Sequence, residues 1–378
     1  MIPVMPELFK SVLPNSTTAD VSVWAGALAS IFALMQFLFG PLLGTLSDQV
    51  GRKPVILISL SVMVGYYLIM AMAQSVWLLL IGRIVGGITA ATHATASAYI
   101  ADISTSDEKA ARFGLVGAAF GMGFVLGPVL GGLLGEFGPR APFYAAAALA
   151  ALNALSCTIW LHESVTNDIR QSFDWRRANP FGAFQALAKL GGLRDMFIVF
   201  LLYSIGTAIY AAIWPFFTEV RFDWSPGMIG ISLTIYGVCF AIVQGALVKP
   251  FIARFGERRT LIYGLVIEVV SLWLISIMTN GIILLIMIPF AALGVIAQPP
   301  LQAWMSRAAG DKNQGALQGV ISSLNALAMM MTPITMTSIF YAFSKNGSAF
   351  YFPGMPFFIS GILVLIALLV FFRIPSQK

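Results

Sequence analysis

The chain has 378 residues, of which 58% are hydrophobic and 10% are charged, and its formal net charge is +6. A soluble domain usually carries about a quarter charged residues, and a water-soluble globule this apolar would expose a large hydrophobic shell. The composition excludes an ordinary soluble protein and indicates that lipid surrounds most of the chain. The basic residues lie in short segments between apolar runs, which is typical of membrane topology rather than of nucleic-acid binding.

Apolar runs long enough to cross a bilayer, roughly 20 residues each, recur along nearly the whole chain and predict an all-α polytopic membrane protein. We expect eleven spans at residues 21–46, 54–74, 76–102, 112–135, 141–161, 197–219, 226–250, 259–279, 281–306, 315–341 and 355–373. Residues 1–14 are too short to cross, and we expect them to end a first helix that begins before Met1. The sequence thus predicts twelve helices with a truncated start.

One long polar stretch divides the predicted helices into two sets. We predict an N-terminal helical bundle at 1–161, a central loop at 162–196 and a C-terminal bundle at 197–378. A weak repeat supports this division, because GRKP at 51–54 and GERR at 256–259 each open the third helix of a half. Such repeats are expected of transporter halves related about the membrane normal.

Lysine and arginine are concentrated on the side of the predicted membrane that carries the central loop. The opposite side has only Lys10, Arg140, Arg221 and Lys345. The positive-inside rule therefore predicts that the central loop faces the cytoplasm.

Charges lie unusually close together in the hairpin GPLLGTLSDQVGRKP, residues 40–54. Asp48 would lie near a helix C-terminus, where a carboxylate opposes the helix dipole. We expect it to pair with Arg52, Arg112 or the N-terminus of a neighbouring helix. The alternative is that Asp48, Arg52 and Lys53 are solvated loop charges.

Three motifs, in their order and spacing, resemble the major facilitator superfamily. Gly44-x-x-x-Asp48-x-x-Gly51-Arg52-Lys53 resembles its signature between the second and third helices. LLLIGRIVGGITAATHATASAYIADIS at 78–104 is similar to the fourth helix of the drug/proton antiporter branch, above all the bacterial tetracycline/proton antiporters. GLVGAAFGMGFVLGPVLGGLLG at 114–135 resembles the fifth-helix motif of antiporters.

The resemblance implies the major facilitator fold, in which two six-helix bundles related by a pseudo-twofold axis give alternating access, and a bacterial inner membrane as the location. It implies a cytoplasmic gating cluster, to which we assign Asp48, Arg52, Lys53, Asp102 and Arg112. It also implies an antiporter motif that bends the fifth span and seals the interface between the halves. The residues of this motif are Gly117, Gly121, Gly127, Pro128, Gly131 and Gly132.

Two charged residues, Glu268 and Arg83, lie deep inside predicted spans, where charges face a cavity or a partner rather than lipid. Glu268 lies in LIYGLVIEVVSLW, and it resembles the ninth-helix acid that tetracycline antiporters use in proton coupling. The alternative is a protonated glutamate with a structural role. Arg83 matches the fourth-helix arginine of the superfamily, which implies an electropositive lining residue linked to proton coupling; the alternative is snorkelling to the interface.

Polar and aromatic groups within the spans predict an apolar, aromatic cavity for a planar amphiphilic ligand. The candidates are Gln36, His93, Tyr210, Trp214, Tyr236, Gln298, Gln302 and Asn325. His93 either titrates near neutral pH or packs as a hydrogen-bonded histidine. Some of the aromatic residues are alternatively interface belts.

We therefore predict proton-coupled efflux of an amphiphilic, tetracycline-like drug. Tetracycline antiporters commonly carry acids in the first and third helices, but this chain has Gly65-Tyr66-Tyr67 at the third-helix position, and the first-helix position precedes Met1. A multidrug or metabolite exporter with another substrate is the alternative, followed by a nutrient symporter.

No pattern of metal ligands or catalytic residues is visible in the sequence, so we expect neither an enzyme nor a metal or cofactor. The expected driving force is the proton gradient. The expected partners are a small-molecule substrate, protons and the lipid bilayer, with no nucleic acid, and we expect a monomer.

Overall fold

The computed structural model describes residues 1–90, 92–105, 108–165, 170, 173, 175, 179–182, 190–310, 313–345, 347–348 and 350–374, apart from the side chains of 92–94, 109–111 and 191. In these segments the chain is built of helices and short connections, with no strand. The predicted all-α architecture is confirmed.

The helices are numbered in chain order and divided by the central loop into a first and a second half. The first half holds α1 (Met5–Val12), α2 (Thr18–Val50), α3 (Arg52–Met72), α4 (Val76–Thr89), α5 (Thr92–Asp102), α6 (Lys109–Gly135) and α7 (Ala141–Trp160). The second half holds α8 (Arg194–Phe222), α9 (Pro226–Ile242), α10 (Val248–Phe255), α11 (Glu257–Ile277), α12 (Gly281–Ala292), α13 (Gln298–Ala309), α14 (Gln314–Ser344) and α15 (Met355–Arg373).

Ten helical stretches among the described residues are long and apolar enough to cross a membrane. They correspond to all but one of the predicted spans, so the protein is an integral, multi-pass membrane protein. The span expected at 76–102 contains α4 and α5, and Ala91 between them lies outside the described residues. Near the end of α4 the Thr89 hydroxyl donates to the carbonyls of Val85 and Gly86.

Two further spans contain a local change of helix type. A π turn, Val243–Leu247, joins α9 to α10, and a 3-10 turn, Leu293–Ala297, joins α12 to α13. The start of α8 also differs from the predicted boundary, because α8 begins at Arg194, inside the segment expected to be loop. Asp195 in its first turn stabilises this start through the helix dipole.

The two copies of the repeat share a backbone feature. α2 ends at Gly51 with φ +120°, and α10 ends at Gly256 with φ +78°. Residues with a side chain rarely adopt these angles, so glycine is the natural choice at both turns. We call the end of the molecule that carries the Gly51 turn and the start of the central loop the inner end, and the opposite end the outer end.

The two halves pack tightly against each other at the outer end. A Cβ on Gly132 of α6 would lie 2.8 Å from the Pro226 carbonyl oxygen and 3.0 Å from Gly230 Cα, so the backbones of α6 and α9 touch. Gly26 of α2 meets α14 in the same way, with a Cβ 2.7 Å from the Pro333 oxygen. The interface is closed there by backbone contact.

Polar contacts reinforce this outer closure. Lys10 of α1 forms an ion pair with Glu219 of α8, and the Thr18 hydroxyl donates to the same carboxylate at 3.0 Å. Glu136, just after α6, accepts from the Ser225 hydroxyl and the Gly227 amide at the start of α9, both at 2.8 Å. Each contact joins the first half to the second.

The inner end is open between the halves. A Cβ on Gly117 or Gly121 of α6 would meet no atom within 4 Å outside the local backbone in the described part of the chain. The ion pairs given by the described residues at this end stay within one half, with Arg52 bound to Asp48 and Arg307 bound to Glu257. The described part of the chain is thus closed between the halves at the outer end and open at the inner end.

This arrangement divides the residues of the antiporter motif. Gly132 and the Pro128 carbonyl lie against α9, whereas Gly117, Gly121 and Gly127 meet nothing within 4 Å in the described chain, and Gly131 faces Met1 of its own half. In this arrangement Gly132 and Pro128 are the motif residues at the contact between the halves in the described chain, because the halves diverge toward the inner end, and sealing by the rest of the motif stays a prediction.

The glycine contact predicts a conformational effect of Gly132→Leu. The larger side chain cannot fit against α9, so we expect the closed outer end to lose about 1–3 kcal/mol through overpacking. A cysteine at Thr337, which is fully buried, should become accessible to a membrane-impermeant thiol reagent, in a background without Cys157 and Cys239.

Gly117→Leu is the matched control, because it adds the same volume to the open stretch of α6. Unchanged labelling at position 337 in Gly132→Leu, or equal labelling in both variants, would contradict the assignment of the outer seal to this contact.

Candidate functional site

A central cavity of about 500 Å³ lies between the two halves. It is lined by Met1, Ile2, Pro3 and α6 on one side, and by α8, α9, α14, the turn before α13 and the start of α13 on the other. Of the residues expected in the substrate cavity, Tyr210, Tyr236, Gln298 and Asn325 line it. The sequence therefore identified part of the wall, all of it in the second half.

The wall is mainly aromatic and apolar. The rings of Tyr210 and Tyr236 stack at 5.6 Å with an interplanar angle of 30°, and Phe124 faces Phe240 across the two halves at 6.0 Å. Polar atoms are few, and the Ser204 hydroxyl donates to Asn325 Oδ1 at 3.2 Å. A large cavity with aromatic faces and a few fixed polar groups suits a planar, amphiphilic molecule.

Sequence reasoning missed several lining residues. Phe124, Phe200 and Phe240 line the cavity, but a cavity phenylalanine has no local feature that distinguishes it from a lipid-facing one. Ser204 and Thr207 also line it. They lie three residues apart on the face of α8 that also carries Tyr203 and Tyr210. Polar residues at helical spacing could therefore have identified this face as a cavity wall from the sequence.

Three of the expected cavity residues lie elsewhere, and a fourth is not described. Trp214 is a turn beyond Tyr210 toward the outer end, where its Nε1 donates to the Ser232 hydroxyl at 2.9 Å. Gln36 is exposed on α2, and Gln302 is half-buried on α13, and neither lines the cavity. The side chain of His93 lies outside the described residues.

Glu268 lies behind the wall of the cavity, on α11. Its side chain is 1% exposed, and a Cβ on Gly294 would collide with its carboxylate. The 3-10 turn Leu293–Ala297 reaches α11 again at Gly264, where a Cβ would lie 2.6 Å from the Ala297 nitrogen. This turn therefore covers Glu268, and its own Val295 faces the cavity.

The carboxyl of Glu268 has phenols as its polar neighbours. Tyr203, Tyr210 and Tyr236 all interact with it electrostatically. The Tyr210 hydroxyl lies near the carboxyl without a hydrogen bond that meets the geometric criteria, and both Tyr210 Oη and Glu268 Oε1 are buried without a partner among the described residues. A buried carboxyl without a cation is expected to hold a proton rather than a charge.

Arg83 lies in the first half and not beside Glu268. Its guanidinium carbon lies 5.7 Å from the centre of the Phe32 ring, and its Nη2 lies 3.6 Å from Met5 Sδ. Its Nε is buried without a partner among the described residues. The structure does not bring the two residues expected in proton coupling together in this arrangement.

Three members of the expected gating cluster meet at the inner end. Arg52 contacts Asp48 Oδ1 through Nη1 at 2.5 Å and Asp102 Oδ2 through Nε at 3.0 Å. The arginine thus joins the α2–α3 hairpin to the end of α5. Asp48 pairs with Arg52, one of the partners expected for it, and is not simply a solvated loop charge.

The other two members of the expected cluster bind elsewhere. Lys53 Nζ donates to the Thr158 carbonyl of α7 at 3.2 Å. Arg112 pairs with Glu108, four residues earlier, at 3.1 Å. This local pair holds the arginine on its own helix, so the placement of Arg112 in the cluster is wrong for this arrangement.

Glu163 completes the inner-end network and was not identified from the sequence. Its carboxylate accepts from the backbone amides of Arg52 at 2.9 Å and Lys53 at 3.2 Å. It thereby caps α3, whose N-cap residue Gly51 has no side chain to do so. The next residue, Ser164, donates to Asp102 Oδ2 at 3.1 Å. The sequence does place this acid just after a predicted span, and it places a glycine before α3. These two features could have indicated that Glu163 caps α3.

The Glu163 contacts predict a change in the start of the central loop. Glu163→Ala removes the acceptor for the α3 amides, so we expect residues 163–165 to detach from the hairpin. Cleavage by trypsin at Arg170, which is exposed, should become severalfold faster in the purified protein. Glu108→Ala is the control, since Glu108 contacts Arg112 of its own helix. Equal cleavage rates in wild type and Glu163→Ala would contradict the role of Glu163.

Comparison with known proteins gives consistent matches over the whole chain. A family model described as the Major Facilitator Superfamily matches residues 1–220 and again residues 196–378. The tetracycline resistance protein of class C from Escherichia coli is 38% identical over 368 residues, which cover 97% of this chain and 91% of that protein. Multidrug resistance protein 2 of Bacillus subtilis (strain 168) is 27% identical over 336 residues, or 88% of this chain and 82% of that protein.

Among solved structures, the crystal structure of the nucleoside transporter NupG aligns with a TM-score of 0.75 and 13% sequence identity. The alignment covers 99% of this chain and 98% of that one. At this identity the likeness concerns the fold alone. It agrees with the two sets of helices around a central cavity described above.

Proposed function

The chain belongs to the major facilitator superfamily, and on that premise we propose that it exports an amphiphilic, tetracycline-like drug by alternating access coupled to protons. The proposal depends above all on one observation. Tyr210 forms part of the wall of the central cavity and approaches the buried carboxyl of Glu268 with its hydroxyl. One side chain therefore contacts both the substrate space and the group that we assign to proton coupling.

The arrangement of the halves supports loading from the inner side. The cavity is closed at the outer end by the α6–α9 contact and by the Lys10–Glu219 ion pair. We propose that the inner end faces the cytoplasm, so that the described state is the one that takes up substrate. Release then requires the outer contacts to separate while the inner end closes, a bistable interface of the kind that ligands bias.

Glu268 supplies the link to protons. In the inward-open state its carboxyl is enclosed by phenols and by the 3-10 turn, an environment that favours the neutral acid. A drug that packs on the Tyr210–Tyr236 pair changes the distance between the Tyr210 hydroxyl and the carboxyl of Glu268. Drug occupancy and protonation of Glu268 are then coupled through one residue, and the coupling acts equally in both directions.

The inner-end cluster supplies the second half of the cycle. In the inward-open state Arg52 binds Asp48 and Asp102, which belong to its own half. When the inner end closes, this assembly becomes the surface that the second half meets. We propose that the exposed atoms of these three charged side chains then bind the second half and hold the inner end closed. Arg83 contributes a positive charge to the first half.

The identity of the drug has a second candidate. At the position where tetracycline antiporters carry an acid, Tyr66 is buried and packs on Tyr67 at 4.9 Å and on Phe32 at 6.4 Å. An aromatic cluster there favours a drug that needs no chelated metal ion. A multidrug exporter is therefore the alternative, and the relative named as a multidrug resistance protein supports it.

The proposed coupling predicts that Glu268→Gln uncouples the transporter. Glutamine has the same shape but cannot release a proton, so drug-dependent proton movement in proteoliposomes should fall to the level of empty liposomes. Drug binding and drug–drug counterflow should persist. Glu257→Gln is the control, because Glu257 is also on α11 but pairs with Arg307 at the inner end. Proton movement equal to wild type in Glu268→Gln would contradict the proposal.

A susceptibility panel in an efflux-deficient host identifies the cargo. It compares wild type and Glu268→Gln with tetracycline and a set of unrelated amphiphilic drugs. Protection against tetracycline that is lost in the variant supports the first candidate. Protection against several unrelated drugs, but not tetracycline, supports the multidrug alternative.

The Tyr210 hydroxyl predicts a smaller effect of Tyr210→Phe. The ring and the cavity wall remain, and the variant loses only the hydrogen bond that we propose the hydroxyl forms with the carboxyl during the transport cycle, worth about 1 kcal/mol or a factor of about five. We expect the rate of coupled transport to fall about fivefold with drug affinity nearly unchanged. Tyr263→Phe, on the exposed surface of α11, is the control. A loss of drug affinity without a change in coupled rate would contradict the linking role of Tyr210.

A further inference from the structure

A second cavity, of about 370 Å³, opens at the outer end of the second half. It lies between the end of α8, the start of α9 and the turn that connects α11 to α12. Its lining includes Arg221, Trp224, Asn280 and Ile282. It is separate from the central cavity, with which it shares no lining residue.

The polar part of this cavity is arranged around one fixed cation. Arg221 Nε donates to the Met278 carbonyl at 3.0 Å, which fixes the guanidinium plane. Arg221 has no ion-pair partner among the described residues. Asn280 accepts from the amides of Ile282 and Ile283 with Oδ1, at 2.9 and 3.2 Å, so its amide hydrogens remain to donate. These donors suit a phosphate group.

The apolar part of the cavity continues onto the lipid-facing surface. Ile282 lines the cavity and is 71% exposed, and Ile286, one turn deeper on α12, is 72% exposed. Trp224 closes the opposite side; its indole nitrogen lies against Gly281, where a Cβ would be only 2.9 Å away. A tryptophan at this level is typical of the membrane–water interface. A bound molecule can thus have its head at Arg221 and its tail along α12.

We infer that this cavity is a binding site for an anionic phospholipid of the outer leaflet, with the phosphate at Arg221 and an acyl chain along Ile282 and Ile286. No acidic side chain is among the residues that line it, so a cationic amine on the head group would find no counter-charge. The expected preference is therefore for a glycerol head group, as in phosphatidylglycerol, over ethanolamine. The inference does not depend on the identity of the exported drug.

Native mass spectrometry of the full chain in detergent tests the site, with phosphatidylglycerol, phosphatidylethanolamine and soluble glycerol 3-phosphate as probes. Wild type should retain phosphatidylglycerol in preference to phosphatidylethanolamine. Arg221→Gln should weaken phosphatidylglycerol binding about tenfold, because a charge-assisted contact to phosphate is lost. Ile282→Ser combined with Ile286→Ser should also weaken it, and that variant leaves the guanidinium and its tie to Met278 intact.

Arg140→Gln is the matched control. Arg140 lies at the same end of the molecule and donates through Nη2 to the Ala73 carbonyl at 2.8 Å. The variant therefore also loses one positive charge and one hydrogen bond from an arginine to a backbone carbonyl. It should bind phosphatidylglycerol like wild type. Equal loss in both arginine variants, equal binding of the two lipids, or displacement of the lipid by glycerol 3-phosphate at similar concentration would each overturn the inference.

Discussion

The backbone contact between α6 and α9 is the constraint on which the rest of the structure depends. Gly132 and Gly230 allow the two helices to meet with no side chain between them, so the halves close at one end and diverge toward the other. In lipid, where burial of apolar side chains gives no advantage between helices, such close packing is a main source of association. The central cavity and its inward opening follow from where this contact lies along α6.

The second constraint is the lipid hydrocarbon that surrounds the spans. A charge in the hydrocarbon region must be paired, neutral or directed toward a cavity, and the chain places its ion pairs at the helix ends. Glu268 and Arg83 are the exceptions, and neither has an ion-pair partner among the described residues. A protein that kept such groups only for packing would be better served by apolar residues. Their presence in the spans is the physical reason to propose a role for them in transport.

Ten of the eleven expected spans and the pairing of Asp48 with Arg52 could be predicted from the sequence, because hydropathy and short-range spacing report them directly. The 3-10 turn over Glu268 could not, because it depends on how neighbouring helices pack. The same holds for the cavity. Tyr210 and Gln298 were expected in its wall, whereas Trp214, with a similar sequence context, turns into the packing of α8 on α9. Whether a helical face lines the cavity can be decided only when the neighbouring helices and their positions are known.

The turns at Gly51 and Gly256 both have a positive φ but are stabilised by different contacts. At the first turn the Glu163 carboxylate accepts from the Arg52 amide, whereas beside the second turn Glu257 binds Arg307. Ala253 occupies the position in the second copy that Asp48 has in the first. The two copies of the repeat therefore share a positive φ at one glycine and differ in the side chains around it. These two glycines are the positions at which an alignment of one half on the other should be anchored.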